Sequence, residues 1–320
     1  MSGWLYASCC EDGQLWIYRA EGAAVTVAQR LHVHEGPRRI LFSRDGRLMY
    51  LSTQTGAVKT YDTTRPEAPR WLHTAYARAR MCNLGLAPGT LLGASYNGGL
   101  VQCWALDEDG VPMETRSQVW NTEKAAHCIC LDEREGAFYV PHPDVRLLER
   151  FVLEEPGVIR LAESRPMAVD IRHLKRRGGV YYGVAFRDSA VCRLEERAGF
   201  LALTGWRSTL PPGFRGENSG SELQLHPRLP VLYAANRGAD DLAVFRLTEE
   251  RMSPVGRIPV DAEPTTFCLD GPGETLYTAG KESQRIAVDA LDGAGIPSGP
   301  RCFTASGNDI LWLEYREDEP

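Results

Sequence analysis

Short apolar runs alternate with turn-forming residues along the whole chain. The clearest unit lies at residues 231–247, where the runs 231–235 and 242–247 flank a polar turn segment. Runs rich in aromatic and β-branched residues on either side of a turn predict a β-hairpin. Upstream, residues 222–226 alternate between polar and apolar and stop at Pro227, which predicts a third strand entering a turn. The pattern therefore indicates a β-meander.

Six other segments resemble the first run of this hairpin. The equivalents of Tyr233 recur at intervals of 43 to 51 residues, at positions 6, 50, 93, 139, 182, 233 and 277. Each copy is followed by a second apolar run, and a preceding strand recurs at a similar spacing. The first residues of these preceding strands are Arg38, Asn83, His127, Arg172, Glu222, Thr265 and Asp309. Seven four-stranded units with this period predict an all-β, seven-bladed β-propeller.

The two ends of the chain complement each other. The first hairpin, which starts at Trp4, has no strand before it, and the last such strand, at 310–315, has no hairpin after it. Pairing these ends in one blade would remove the exposed edges of an open array. We therefore predict one propeller domain over residues 1–320. A β-sandwich would give no reason for the constant period. The longest irregular stretch, 210–221, is either a lid over the channel or a plain insertion.

Composition excludes several classes of protein. The net charge of −6 gives no general attraction to nucleic acid, and no apolar run approaches the roughly 20 residues of a membrane span. No signal-peptide pattern opens the sequence, so we expect a cytoplasmic protein. The nine cysteines mostly lie in strand-like runs, which predicts buried free thiols. Because no Cys/His group has zinc spacing, we expect no metal. We also expect no cofactor.

The innermost strands of a propeller run side by side around the central channel, so their first residues should form a polar ring at one mouth. One histidine, two arginines and two carboxylates belong to this ring. Histidine can act as a general base near neutral pH, and arginine can hold a carboxylate or phosphate through two hydrogen bonds. The ring therefore predicts a site for a small anionic molecule.

Several segments resemble one known family. They are residues 232–238 with 243–245, residues 94–99, the pair Arg172 and His173, and His127 followed by Val140 and Pro141. Over nearly its whole length the chain resembles the seven-bladed propeller lactonases, which include bacterial 6-phosphogluconolactonases and fungal carboxymuconate cyclases. The resemblance implies hydrolysis of a small phosphorylated or carboxylated sugar lactone without metal.

The resemblance also implies a site of one histidine, two arginines and one glutamate. The histidine matches His127 and the first arginine matches Arg172, but the glutamate falls on Phe186 and the second arginine on Thr265. On this basis His127 would activate water and Arg172 would bind the substrate anion. The candidate substrate-binding residues are Arg38, Asn83, His173, Glu222, Thr265 and Asp309.

Two other functions stay open at the level of sequence. A propeller that has lost its chemistry could serve as a ligand-binding or protein-interaction platform, which the changes at Phe186 and Thr265 favour. A muconate-type cycloisomerase would suit a ring carrying both Arg38 and Arg172. The Trp-Asp and Gly-His pairs of WD40 scaffolds are absent. The expected partner is a small anionic lactone, with no nucleic acid or membrane partner, and the sequence does not assign an oligomeric state.

Overall fold

The computed structural model describes residues 2–132 and 136–318. In this part of the chain the strands form seven antiparallel sheets of four strands each. The seven-bladed, all-β propeller expected from the repeat is confirmed. That residues 1–320 form a single domain stays a prediction. No helix in the described ranges is long and apolar enough to cross a membrane.

In six of the blades four consecutive strands form a meander, and the seventh blade combines strands from both ends of the chain. The first half of the chain contains β1 (Ser2–Cys9), β2 (Gln14–Glu21), β3 (Ala24–His32), β4 (Pro37–Phe42), β5 (Leu48–Thr53), β6 (Ala57–Asp62), β7 (Arg70–Tyr76), β8 (Asn83–Ala87), β9 (Thr90–Ser95), β10 (Leu100–Leu106), β11 (Pro112–Asn121), β12 (Cys130–Asp132), β13 (Ala137–His142) and β14 (Leu147–Glu155). The second half contains β15 (Val158–Pro166), β16 (Ile171–Arg177), β17 (Val180–Ala185), β18 (Ala190–Arg197), β19 (Phe200–Ser208), β20 (Ser219–Leu225), β21 (Val231–Arg237), β22 (Asp241–Leu247), β23 (Met252–Pro259), β24 (Pro264–Leu269), β25 (Thr275–Gly280), β26 (Arg285–Ala290), β27 (Cys302–Ala305) and β28 (Ile310–Glu317). One 3-10 turn, Pro143–Val145, joins β13 to β14.

The ring closes through its two ends. Strand β28 pairs antiparallel with β1, so that Gly3 lies opposite Glu317, and the blade has the order β28-β1-β2-β3. Asp318 reinforces this closure, because its carboxylate accepts hydrogen bonds from Ser2 Oγ at 2.7 Å and from Trp4 Nε1 at 2.9 Å. The predicted pairing of the N- and C-terminal strands is confirmed.

Apolar side chains on adjacent blades form the core. One cluster joins Leu5 and Tyr18 of the closing blade to Tyr277 and Ile286 of the preceding blade. The recurrent tyrosine also ties blades together: Tyr233 donates its hydroxyl hydrogen to Gly295 O at 2.7 Å in the next blade. Burying a large aromatic body while satisfying its hydroxyl explains why tyrosine suits this position. The repeat seen in the sequence is therefore the repeat of the inter-blade contacts.

The inner strands differ from one another where they begin. The pairing register shifts near the start of β4, β16, β20 and β24, as it does at a β-bulge. Strand β12 begins only at Cys130, so His127 lies in the segment before it. A bulge re-aims the side chains on its strand. The first residues of the seven inner strands therefore do not form one ring at a single level of the channel mouth, in contrast to the expectation from the sequence.

The long irregular segment is shorter than the sequence indicated, because β20 already begins at Ser219. Asn218 fixes the end of this segment by donating from Nδ2 to Ser189 Oγ at 2.8 Å and to Asn236 Oδ1 at 3.1 Å. Whether the segment is a lid or a plain insertion stays open.

Candidate active site

A pocket of about 240 Å³ opens at the channel mouth where the inner strands begin. The second strands of the blades run antiparallel to the inner strands, so they end at the same mouth and contribute side chains there. The lining residues are Arg38, Arg80, Cys82, Tyr96, Asn97, His127, Arg172, Phe186 and Arg237. Four arginines with one histidine make this pocket strongly cationic.

The pocket arginines are half-buried, and within the described parts of the chain none of them forms a salt bridge with a carboxylate. Burial, then the neighbouring Arg237, lowers the pKa of Arg172 to about 10. Burial, followed by Arg80, also lowers the pKa of Arg38, and burial lowers that of Arg237. Within residues 2–132 and 136–318, the Nε atoms of Arg38, Arg172 and Arg237 are buried without a hydrogen-bond partner. Buried donors without partners are costly, so the pocket favours an anion that can accept their hydrogen bonds.

Arginines at the rim are paired with carboxylates instead. Arg146 bonds to both carboxylate oxygens of Asp188, each at 2.7 Å. Arg187 lies 2.8 Å from Asp144, which also accepts a hydrogen bond from the Tyr96 hydroxyl at 2.6 Å. Asp144 belongs to the 3-10 turn after β13, so this turn anchors Tyr96 at the mouth. The contrast indicates that the unpaired charge is concentrated inside the pocket.

His127 is the candidate general base of the pocket. Burial, then Arg172 and His173, lowers its pKa well below the ordinary value, so the imidazole is neutral at pH 7. Its Nδ1 is buried and has no hydrogen-bond partner among the described residues. The Tyr96 ring packs edge-on against it, with ring centroids 5.7 Å apart. A neutral imidazole can accept a proton, which an imidazolium cannot.

Phe186 stands where the family resemblance expects a glutamate. Three guanidinium groups surround its ring, with the Cζ atoms of Arg172, Arg187 and Arg237 at 5.3, 5.1 and 5.6 Å from the ring centroid. Cations are attracted to the face of an aromatic ring. Phe186 therefore holds the arginines together without neutralising them, whereas a carboxylate here would cancel one positive charge.

Of the residues expected from the sequence, Arg38, His127 and Arg172 line the pocket. Asn83 does not, because its Oδ1 accepts the backbone N–H of Ile129 at 3.1 Å. Thr265 is used in the same structural way, since its Oγ1 donates to Ile310 O at 2.8 Å. Each of these two side chains joins an inner strand to the backbone of the neighbouring blade.

Asp309, Glu222 and His173 also lie outside the lining. Asp309 has a left-handed backbone with φ of 53°, and it lies close enough to Arg38 to oppose the lowering of that residue's pKa. Glu222 is fully buried, with its Oε2 at 3.1 Å from Nδ1 of His173. His173 in turn packs against His127, with ring centroids 4.7 Å apart. These side chains lie behind the pocket wall.

Sequence reasoning missed Arg80, Cys82, Tyr96, Asn97 and Arg237. Arg237 is the most informative omission, because it adds a further arginine to the pocket lining, whereas the resemblance expects the second arginine at Thr265. It ends β21 and is followed by Gly238, which has φ of +118° and where an added Cβ would meet Glu217 O at 2.1 Å. Only glycine tolerates both constraints. The signal lay in the ends of the second strands, where Tyr96, Phe186 and Arg237 occupy comparable places in three blades.

Comparison with known proteins agrees with the fold and with the repeat. The family described as "Lactonase, 7-bladed beta-propeller" matches residues 180–295. A 6-phosphogluconolactonase of Pectobacterium carotovorum is 27% identical over 233 residues, which are 70% of this chain and 70% of that protein. A 6-phosphogluconolactonase of Klebsiella pneumoniae is 28% identical over 210 residues, covering 62% of this chain and 63% of that protein. The chain is similar to the seven-bladed propeller lactonases. The resemblance noted in the sequence is thereby confirmed.

Solved structures extend the similarity in fold to nearly the whole length of the chain. A putative 6-phosphogluconolactonase from Bacteroides fragilis superimposes with a TM-score of 0.88 at 16% identity, covering 98% of both chains. A periplasmic gluconolactonase from Pseudomonas aeruginosa gives a TM-score of 0.87 at 18% identity, covering 98% of this chain and 99% of that one. At such low identity these likenesses bear on the fold alone.

Proposed function

We propose that this chain is a lactone hydrolase that opens a small anionic sugar lactone. The observation that carries the proposal is the pocket itself, where a neutral buried histidine shares about 240 Å³ with four arginines. The names of the related proteins, 6-phosphogluconolactonases among them, support the same class of reaction.

His127 is the proposed general base. It takes a proton from a water molecule as the water oxygen forms a bond to the lactone carbonyl carbon. Arg172 stabilises the negative charge that develops on the carbonyl oxygen. When the tetrahedral intermediate collapses, the bond between the carbonyl carbon and the ring oxygen breaks, and the proton on His127 passes to the departing alkoxide. The product is the open hydroxy acid, and His127 is neutral again.

The remaining arginines indicate what kind of substrate is bound. Arg38, Arg80 and Arg237 add positive charge beyond what one developing oxyanion requires. A phosphate group on the sugar offers several acceptor oxygens to guanidinium groups. We therefore propose a phosphorylated sugar lactone as the preferred substrate, with a carboxylated lactone as the weaker one.

The free cysteines bear on where the enzyme would work. All nine are unpaired, and six of them are buried. Free thiols in strand interiors suit a reducing compartment. We therefore propose a cytoplasmic location, which cell fractionation would test.

The proposal predicts that His127→Asn abolishes hydrolysis. Removal of a general base lowers kcat by about 10²- to 10⁴-fold, while the melting temperature should stay close to that of the wild type. Ring opening is followed with 6-phosphogluconolactone and unphosphorylated gluconolactone. His226→Asn is a matched control, because His226 is also buried with a lowered pKa, and Asn can replace the Nδ1 that accepts the N–H groups of Arg228 and Leu229. Full activity in His127→Asn, or no hydrolysis of any lactone by the wild type, would overturn the assignment.

A further inference from the structure

A row of three buried ionisable side chains runs from the pocket into the channel. His127 lines the pocket, the His173 ring lies 4.7 Å from it between centroids, and Glu222 Oε2 lies 3.1 Å from His173 Nδ1. The last distance is a close polar contact, although Glu222 Oε2 has no well-aligned hydrogen-bond partner among the described residues. The other carboxylate oxygen of Glu222 accepts the backbone N–H of Leu223 at 2.9 Å. The backbone therefore holds one oxygen of the carboxylate, and the other oxygen lies beside His173, behind the pocket.

This row is unusual because it brings a single carboxylate to a strongly cationic region. His127 faces Arg172, His173, Arg237 and Arg38. The Cys82 thiol donates to His127 O at 3.3 Å, and Tyr96 packs on the ring of His127. Behind the pocket, Glu222 faces His173, Lys175 and Arg39. Any positive charge that forms on His127 is therefore opposed by three arginines.

Resting on the proposed function, we propose that Glu222 acts through His173 to orient His127 and to offset the positive charge that His127 acquires during hydrolysis. His173 and Glu222 are positioning residues, since neither lines the pocket. The carboxylate attracts the His173 Nδ1 hydrogen, which leaves the opposite nitrogen of that ring as an acceptor. A fixed ring orientation next to His127 limits the rotation of the base.

The ionisation states agree with this arrangement. Burial raises the pKa of Glu222, but His173, Lys175 and Arg39 outweigh it and hold that pKa at about 2. Burial lowers the pKa of His173, and Glu222 opposes that effect. At neutral pH the row therefore carries one negative charge, on Glu222, with both histidines neutral. When His127 takes a proton, the row becomes neutral in total.

The row also offers a carboxylate to a pocket that has Phe186 in its lining. The family resemblance implies a glutamate at this position, and here a phenyl ring occupies it. Glu222 enters from the strand β20 of the next blade and reaches the histidines from behind the pocket wall. The acid is thus kept away from the substrate anion, so it does not compete with that anion for the pocket arginines.

Kinetics of Glu222→Gln test the proposal. We expect kcat on the hydrolysed lactone to fall about tenfold with little change in KM, because a weaker base affects the chemical step. The acidic limb of the pH–rate profile should move to lower pH, since removing a negative charge makes protonated His127 less stable. Glu222→Asp, which keeps the charge, should recover part of the loss. Glu149→Gln is the matched control, because Glu149 forms a second buried pair, with its Oε2 at 3.2 Å from His142 Nε2.

A spectroscopic titration separates this inference from the proposed function. The imidazole nitrogen signals of His127 are followed by NMR as the pH is lowered, in the wild type, in Glu222→Gln and in Glu149→Gln. The protonation midpoint should fall by about one pH unit in Glu222→Gln and stay unchanged in Glu149→Gln. If the wild type hydrolyses no lactone, the proposed function fails, and this titration still decides whether Glu222 controls His127. If hydrolysis occurs but the midpoint and the pH–rate profile of Glu222→Gln match those of the wild type, the inference is wrong and the function stands.

Discussion

We expect the substitution Arg237→Met to stabilise the fold and to weaken the binding of anions in the pocket. Methionine keeps much of the apolar stem of arginine and removes its charge. The Cζ atoms of Arg172 and Arg237 lie 5.3 and 5.6 Å from the same Phe186 centroid, so they can be no further apart than the sum of these distances. At that limit, about 11 Å, two unit charges in a medium of effective dielectric constant near 20 repel each other by about 1.5 kcal/mol.

Part of this gain is lost because Arg237 is attracted to Glu263, which raises its pKa against the effect of burial, and to the face of the Phe186 ring. The repulsion acts on both guanidinium groups, and it appears most clearly in the lowered pKa of Arg172, the more deeply buried of the two. We expect a net stabilisation of about 1 kcal/mol, which for a chain of this size corresponds to a rise in melting temperature of about 2 °C.

Anion binding should change in the opposite direction. A hydrogen bond to a charged group contributes about 1.5–3 kcal/mol, so losing the Arg237 guanidinium should weaken binding of inorganic phosphate at least tenfold. Thermal unfolding is measured without phosphate and then at increasing phosphate concentrations, because a ligand that binds the folded state raises the melting temperature. Arg246→Met, an exposed arginine on the neighbouring strand β22, is the control. A variant that melts lower than the wild type without phosphate, or that binds phosphate equally well, would refute the reasoning.

Two further predictions concern Phe186 and Glu222. Phe186→Glu should weaken phosphate binding about tenfold or more, because a carboxylate among three guanidinium groups competes with the ligand, whereas Phe186→Leu should retain most of the affinity. Phosphate-dependent thermal shifts check this, and equal affinities in the two variants would contradict it. Glu222 has a folded-state pKa of about 2, below its ordinary 4.5, so its ionised form should stabilise the fold above about pH 4.5, and this contribution should be lost as the pH falls toward 2. Urea unfolding of the wild type and Glu222→Gln at pH 7 and pH 3 measures this; the difference in unfolding free energy between them should shrink at the lower pH, and a constant difference would show that the charge of Glu222 is not responsible.

The site was predictable only in part. Position in the repeat identified Arg38, His127 and Arg172, because these side chains do reach the mouth where the inner strands begin. The same rule failed for Asn83 and Thr265, whose side chains form hydrogen bonds with the backbone of the neighbouring blade. It overlooked Arg237 because the segment after residue 235 has the composition of a turn, although β21 continues through Arg237.

The sequence by itself determined the architecture. Apolar and aromatic residues repeated at a nearly constant interval specify seven similar blades, since each blade buries its faces against its neighbours in the same way. The unmatched strands at the two ends specify how the ring closes. Such patterns depend on local alternation and on repetition, and both can be read along the chain.

Only the tertiary structure decided which polar residues share the pocket. Register shifts near the start of β4, β16, β20 and β24 change where equivalent side chains point, and a shift of one residue turns a side chain to the other face of its strand. The folded chain therefore places Glu222 behind His173 and brings Arg237 next to Arg172, although no sequence interval relates either pair. Contacts between different blades depend on the closed ring, which is why the pocket could not be assembled from the repeat alone.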